Sequence, residues 1–191
     1  MKNPPVIIAE VKTQSPFGFK SSKSWEELFT LANKVGDIIS IHTDSRWGGS
    51  CELVEKGRNL TNKPILAKGI HMQDEEIFRA IKAGADFVLV VGRIPNLSEV
   101  ITPEVLSKCI IEPNNLEELI AIPETFRVVW NSRDLVTGGK KKEMFTEARK
   151  LFKGWLCQAS NISSVVDIQE GADAVLVGSD LEKFAASLSK S

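Results

Sequence analysis

Glu10 and Lys12 stand two residues apart in the otherwise apolar run Ile8, Ala9, Glu10, Val11, Lys12. In an extended chain that spacing puts both charges on one face, and burying charge there needs a partner or a purpose. An ion pair inside a sheet would account for them at little net stability. Further charges at the ends of other apolar runs favour chemistry instead. Lys68 closes Pro64, Ile65, Leu66, Ala67, Lys68, and an ammonium group at the mouth of an apolar pocket can trade protons near neutrality. Glu112 closes Cys109, Ile110, Ile111 just before Pro113, where a carboxylate would complement that lysine as a proton carrier. Taken singly, Lys68 reads equally well as a snorkelling surface lysine, and Glu112 as an acid capping the next helix.

Gly178 and Ser179 directly follow Ala174, Val175, Leu176, Val177, so backbone N–H groups and a hydroxyl stand where the last helix begins, a place that suits a phosphate. Ser160, after the preceding apolar run, favours an anion site over a plain serine cap. Trp47, with Gly48 and Gly49, lies in the loop after the second run, where an indole could stack on a substrate ring or cover a rim. His42 and His71 are isolated and read as ordinary structural or surface histidines. Cys51, Cys109 and Cys157 are far apart and lack CxxC spacing, which argues against a disulfide framework and a zinc site and for buried reduced thiols.

These residues need elements to position them. Short runs rich in Val, Ile and Leu alternate with longer amphipathic stretches, the pattern of strands buried on both faces with helices between. Eight strand–helix pairs are expected, with strands at Val6–Val11, Ile38–His42, Ile65–Lys68, Phe87–Val91, Lys108–Glu112, Arg127–Asn131, Gly154–Gln158 and Ala174–Val177. Ser24 with Glu27 opens a helix over 24–34 as a capping box, and similar helices follow Gln73, Asn115 and Lys140. The tripeptide Gly-Ala-Asp recurs at 84–86 and 171–173, each time before a strand. It hints at a duplicated half, yet three residues are too few to set against chance.

The polar residues choose between a closed barrel and an open sheet. Glu10, Lys12, Lys68, Glu112, Asn131, Ser160 and Ser179 fall at or just past the C-terminal ends of different strands, where a barrel gathers its catalytic groups. An open sheet would concentrate them at one switch point, usually with a glycine fingerprint that is missing here. The expectation is a compact (β/α)₈ barrel, one domain over 1–191.

Composition narrows the partners. With 24 basic and 25 acidic side chains, the chain exerts no general pull on a polyanion, and the run Lys140, Lys141, Lys142 reads as solvated helix surface. Neither nucleic acid nor membrane is an expected partner. The N-terminal stretch, broken by Glu10 and Lys12, makes a poor signal peptide, so a cytoplasmic location is expected.

The segments IAEVKTQSP, ISIHTDSRWGGS, PILAKGI, IIEPNN, WNSRDL and AVLVGSDL, in that order, resemble indole-3-glycerol-phosphate synthase of tryptophan biosynthesis over almost the whole chain. The resemblance implies a ribulose-phosphate-binding (β/α)₈ barrel and a carbon–carbon lyase, specifically a carboxy-lyase. Such an enzyme closes the ring of 1-(2-carboxyphenylamino)-1-deoxyribulose 5-phosphate, giving indole glycerol phosphate, carbon dioxide and water without cofactor or metal. It implies Lys68 as general acid and Glu112 as acid/base of the dehydration. Lys12 would meet the substrate's anionic groups, and Glu10 would orient the lysines. Asn131 and Arg133 would hold hydroxyl and carboxylate groups, with Ser15 and Pro16 in the loop beside them. Trp47 and Leu89 would line the anthranilate pocket, and Ser160, Gly178 and Ser179 would cradle the phosphate. A monomer or weak homo-oligomer follows, with another enzyme of the tryptophan pathway as candidate partner.

The chain departs from that pattern. The family's Glu-Ser-Gly after the seventh strand is Ala159, Ser160, Asn161, and its Lys-Asp-Phe after the third is Lys68, Gly69, Ile70. The first change removes a carboxylate and a glycine, the second an aromatic wall. The helical extension that usually precedes the first strand is absent from this sequence, and the segment 96–107 is abbreviated. A second reading is therefore a catalytically impaired barrel that keeps a phosphate ligand and serves a regulatory or partner-binding role. The neighbouring phosphoribosylanthranilate isomerase would need a cysteine where Lys12 stands.

Overall fold

The computed structural model describes residues 4–189. Eight parallel strands pair in sequence order and close on themselves: β1 (Val6–Val11), β2 (Ile38–His42), β3 (Ile65–Lys68), β4 (Phe87–Val91), β5 (Cys109–Glu112), β6 (Arg127–Asn131), β7 (Leu156–Ala159) and β8 (Ala174–Val177), with β8 returning to β1. The expected strands hold, with β5 starting one residue later and β7 displaced toward its C-terminal end, since Gly154 and Trp155 precede the pairing with β6.

Period two sorts the strand residues into two layers. Ala9, Ile39, Ala67, Val90, Ile111, Trp130 and Val175 face outward and pack under the helices. Ile8, Leu66, Leu89, Ile110, Val129, Cys157 and Leu176 fill the barrel interior. Further toward the C-terminal ends the inward positions turn polar, and Glu10, His42, Glu112 and Asn131 are all buried there. The chain thus spends its apolar residues on the floor of the barrel and its ionisable ones on the mouth.

Among the described residues, seven α-helices pack around the strands: α1 (Trp25–Val35), α2 (Cys51–Leu60), α3 (Asp74–Lys82), α4 (Pro103–Ser107), α5 (Leu116–Ala121), α6 (Phe145–Leu151) and α7 (Leu181–Leu188). Ser24 caps α1 as its sequence signals: its Oγ accepts from the Glu27 N–H at 3.2 Å while the Glu27 carboxylate accepts from the Ser24 N–H at 2.8 Å. The eighth helix is missing. Between β7 and β8 there is only a 3₁₀ turn, Val165–Asp167. Gln158 holds it by donating to the Asp167 carbonyl at 2.9 Å and accepting from the Gln169 N–H at 2.8 Å.

Both Gly-Ala-Asp segments carry the same clamp. Asp86 accepts from the Ile65 N–H at 2.8 Å and Asp173 from the Leu156 N–H at 2.9 Å, so each aspartate ties the start of its own strand to the strand before it. Arg58 reaches Asp86 at 3.0 Å and Arg149 reaches Asp173 at 3.1 Å. Gly84 and Gly171 have φ of +106° and +85°, and the aliphatic part of each arginine lies where a Cβ would sit. The β3/β4 and β7/β8 units, half a barrel apart, are built alike.

Two other expectations change. Lys140, Lys141 and Lys142 lie in the loop before α6, and only Lys140 and Lys142 are exposed. Lys141 is half-buried: its Nζ sits 4.7 Å from the centroid of the Trp130 ring and donates to the Pro113 carbonyl at 3.2 Å. Among the thiols, Cys109 and Cys157 are buried, whereas Cys51 is only partly so.

Candidate active site

Lys12, Lys68, Glu112, Asn131, Gly178 and Ser179 converge at the C-terminal mouth because successive inward positions of adjacent strands stand side by side. His42 pairs in register with Lys68, and Glu10 with Ser40. The Lys68 Nζ donates to Glu10 Oε1 at 3.0 Å, and the His42 Nε2 meets the same oxygen. Asn131 Nδ2 donates to Glu112 Oε1 at 2.9 Å, while Asn131 Oδ1 accepts from the Ser160 hydroxyl at 2.7 Å and from the Arg133 N–H at 3.0 Å.

Two adjoining cavities open above this floor. The more apolar one, about 310 Å³ of open space, is lined by His42, Trp47, Ile70, Leu89, Val91 and Leu135, with Lys68, Glu112 and Asn131 on its polar side. The more polar one, about 560 Å³, is lined by Glu10, Lys12, Arg133, Ser160, Gly178 and Ser179 among others. Trp47, Lys68, Asn131 and Leu135 belong to both. One ligand can therefore set an apolar ring in the first cavity and an anionic group in the second with Lys68 at the junction.

Charge follows from burial and neighbours. Burial pushes the Glu10 carboxyl up, but the lysines and the His42 contact more than reverse this and hold it well below the usual range. Burial also raises Glu112, and there it prevails over the opposing pull of Lys68 and Asn131. The two carboxyls are thus pushed apart, Glu10 as a fixed anion and Glu112 as a group able to carry a proton nearer neutrality. Lys12 is lowered, chiefly by burial, against the attraction of Glu10. Its Nζ donates to Ser179 Oγ at 3.0 Å.

Ser15 and Pro16 line neither cavity. The Ser15 hydroxyl accepts from the Phe17 and Phe19 N–H groups at 3.3 and 3.2 Å and so shapes its own loop, which presents the next aromatics instead. Phe17 meets Trp47 edge-on with centroids 6.3 Å apart, and Lys12 lies 5.4 Å from the Phe19 ring. His71 is the structural residue its isolation suggests: Nδ1 meets the Leu89 carbonyl at 2.6 Å and Nε2 the Thr43 hydroxyl at 2.9 Å. His42 is not. It lines the apolar cavity, lies parallel to Trp47 with centroids 5.7 Å apart, and contacts Glu10. Among the described residues no cluster of three or more His, Cys, Asp or Glu side chains could hold a metal ion, and no helix is long and apolar enough to cross a membrane.

The family model for indole-3-glycerol phosphate synthase matches residues 1–188. The chain belongs to that family. Indole-3-glycerol phosphate synthases from Sulfurisphaera tokodaii and Aquifex aeolicus are 28% and 31% identical to it, each alignment covering 93% of this chain and 78% and 76% of theirs. Among solved structures, 3-hexulose-6-phosphate synthase from Salmonella typhimurium superposes with a TM-score of 0.66 at 17% identity, over 97% of this chain and 99% of that one. KGPDC from Streptococcus mutans, in complex with D-R5P, gives 0.68 at 15% identity over 97% and 96%. These two likenesses concern the barrel alone.

Against the family's pattern, Asn161 stands where glycine is usual yet keeps φ at +57°, and Ser160 before it has φ +69°. Asparagine tolerates the left-handed region better than most residues, so Asn161 holds this turn at a cost of about 1 kcal/mol. Ala159 is 1% exposed and packs in the barrel interior beside Leu176. Ile70 occupies the wall that an aromatic would provide.

Proposed function

We propose that the chain is an indole-3-glycerol-phosphate synthase that converts 1-(2-carboxyphenylamino)-1-deoxyribulose 5-phosphate to indole glycerol phosphate, carbon dioxide and water. The observation that carries the reading is Lys68 at the junction of an apolar and a polar cavity, with Glu112 beside it in the lining of the apolar one. In this reading the anthranilate ring sits among Trp47, Leu89 and Ile70, and the phosphate lies near Lys12, Arg133 and the Gly178–Ser179 turn before α7.

The ring carbon that bears the carboxylate attacks the ribulose ketone carbon while Lys68 gives its proton to the ketone oxygen. The carboxylate leaves as carbon dioxide and its bonding electrons restore the aromatic ring. Glu112, whose burial favours its protonated form, gives a proton to the new hydroxyl, which departs as water. The resulting carboxylate then takes a proton from the neighbouring methylene to form the indole double bond. Lys68 regains its proton from solvent, so the cycle closes with one proton consumed. Asn131, donating to Glu112, keeps that carboxyl aimed at the cavity.

Steady-state assay of the purified chain should show the rise of indole fluorescence from this substrate. Binding without any product would favour the second reading, an impaired barrel that holds a phosphate ligand, for which Ala159 is the specific observation. Ala159→Glu is expected to raise turnover about tenfold if the missing carboxylate limits the rate, and unchanged turnover would show that another group has taken its place.

Asp180 bears on the phosphate. It lines the polar cavity and is only partly neutralised by Lys183 at 2.9 Å. An acid at the entrance of an anion site repels its ligand. Asp180→Ser is expected to tighten inorganic phosphate binding about fivefold, the order of one partly screened charge, as read by calorimetry. Equal affinity in the two proteins would place the phosphate elsewhere.

A further inference from the structure

His42 is 4% exposed, and its two ring nitrogens have unequal company. Nε2 meets Glu10 Oε1, the oxygen that also receives the Lys68 Nζ at 3.0 Å. Nδ1 is equally buried and has no hydrogen-bond partner among the described residues. A doubly protonated imidazole would bury an N–H without an acceptor, at about 1–3 kcal/mol. A neutral ring with its hydrogen on Nε2 leaves only a lone pair unmet.

The surroundings agree with the neutral form. Burial lowers the affinity of His42 for a second proton, Glu10 opposes this, and Lys68 and Lys12 reinforce it. Asp44 in the following loop is a further acid within reach, and it is already committed to Arg46. Glu10 itself faces His42 from β2, Lys68 from β3, Lys12 from just past the end of β1 and Glu112 from β5. Just past β8 lies the backbone of Gly178, where a Cβ would overlap Glu10 Oε2. The Trp47 indole, stacked on the imidazole with 3° between planes, keeps the ring from turning.

We propose that His42 is a positioning residue of this site: as a neutral imidazole it donates its Nε2–H to Glu10 Oε1 and so fixes the carboxylate on which Lys68 is seated. The ring acts through Glu10 and needs no contact with the reacting atoms. Its role rests on the synthase reading only where turnover is the readout. Without the imidazole, Glu10 keeps Lys68 and Lys12 but loses its one uncharged donor from a neighbouring strand, and it accepts a proton at higher pH.

Nitrogen-15 spectra of the histidine-labelled chain test the protonation state directly. Between about pH 8 and about pH 5, His42 is expected to remain a single neutral tautomer with its hydrogen on Nε2; gain of a second proton in that window overturns the proposal. In kinetics at about pH 6 and about pH 8, His42→Leu should lose about tenfold in kcat/KM, the order of one hydrogen bond to a charged group. His42→Gln, which restores an N–H donor, should recover most of that loss. Equal losses in both variants at both pH values would reduce His42 to packing. If the unaltered chain proves inactive, the synthase reading fails alone, and the carbon-13 titration of the Glu10 carboxyl decides. A higher titration midpoint in His42→Leu supports the role, and an unchanged midpoint overturns it.

Discussion

Replacing Lys68 with alanine is expected to lower turnover about a thousandfold or more, within the range that general acids contribute, while the chain still folds. Lys68 lies at the junction of both cavities, 3.0 Å from Glu10. Its loss leaves Glu10 with His42 and Lys12, so the carboxylate stays partnered. The stability cost should be about 2 kcal/mol rather than the full cost of breaking a buried pair, a fall of about 4–8 °C in melting temperature for a chain this size. Lys68→Arg separates the two effects: it keeps a cation for Glu10 but cannot yield a proton near neutrality. It should melt near the unaltered chain and remain inactive. Activity within threefold of normal in Lys68→Arg, a roughly half-kcal/mol effect, would remove Lys68 from the proton transfer.

Gly178→Ala should damage both stability and turnover although it adds only a methyl group. A Cβ at Gly178 would overlap the Glu10 carboxylate, which is 2% exposed and has no room to retreat. Either β8 shifts or the carboxylate turns away from Lys68 and His42, and overpacking of this kind costs about 2–3 kcal/mol. Turnover should fall about a hundredfold because the seat of Lys68 moves. The pH dependence identifies the cause. Glu10 is held below its unfolded value, so it contributes stability above the ordinary glutamate range and loses it as pH falls through its lower folded value. The gap in stability between the variant and the unaltered chain should therefore be widest near neutrality and narrow in acid. Denaturant unfolding at the two conditions measures it; a gap independent of pH would assign the damage to strand geometry instead.

The strands were legible because each is an apolar run bounded by turn residues, and the polar residue at each C-terminal end disclosed a barrel mouth. Where strands are short and helices shorter, as in α4 and the 3₁₀ turn after β7, the alternation still marks the strand but the helix period has too few residues to register. His42 shows what single-residue reading misses. It looks isolated along the chain, yet Ser40 and His42 are polar at period two in β2, and that register sets His42 beside Lys68. The same alternation that identified Glu10 and Lys12 would have placed it. Ser15 and Pro16 went the other way: their place in the motif suggested contact with ligand, whereas loop hydrogen bonds turn Ser15 inward on its own turn and bring Phe17 to Trp47. Lys141 was hidden in a basic run because nothing local reveals that Trp130 and Pro113 lie beneath it.

The most direct measurement is a single turnover with the chain in excess over substrate carrying carbon-13 in its carboxylate, with labelled carbon dioxide and indole glycerol phosphate quantified together. The account predicts one carbon dioxide for each indole formed, both abolished in Lys68→Ala. Carbon dioxide without indole, or indole formation that persists in Lys68→Ala, would contradict it.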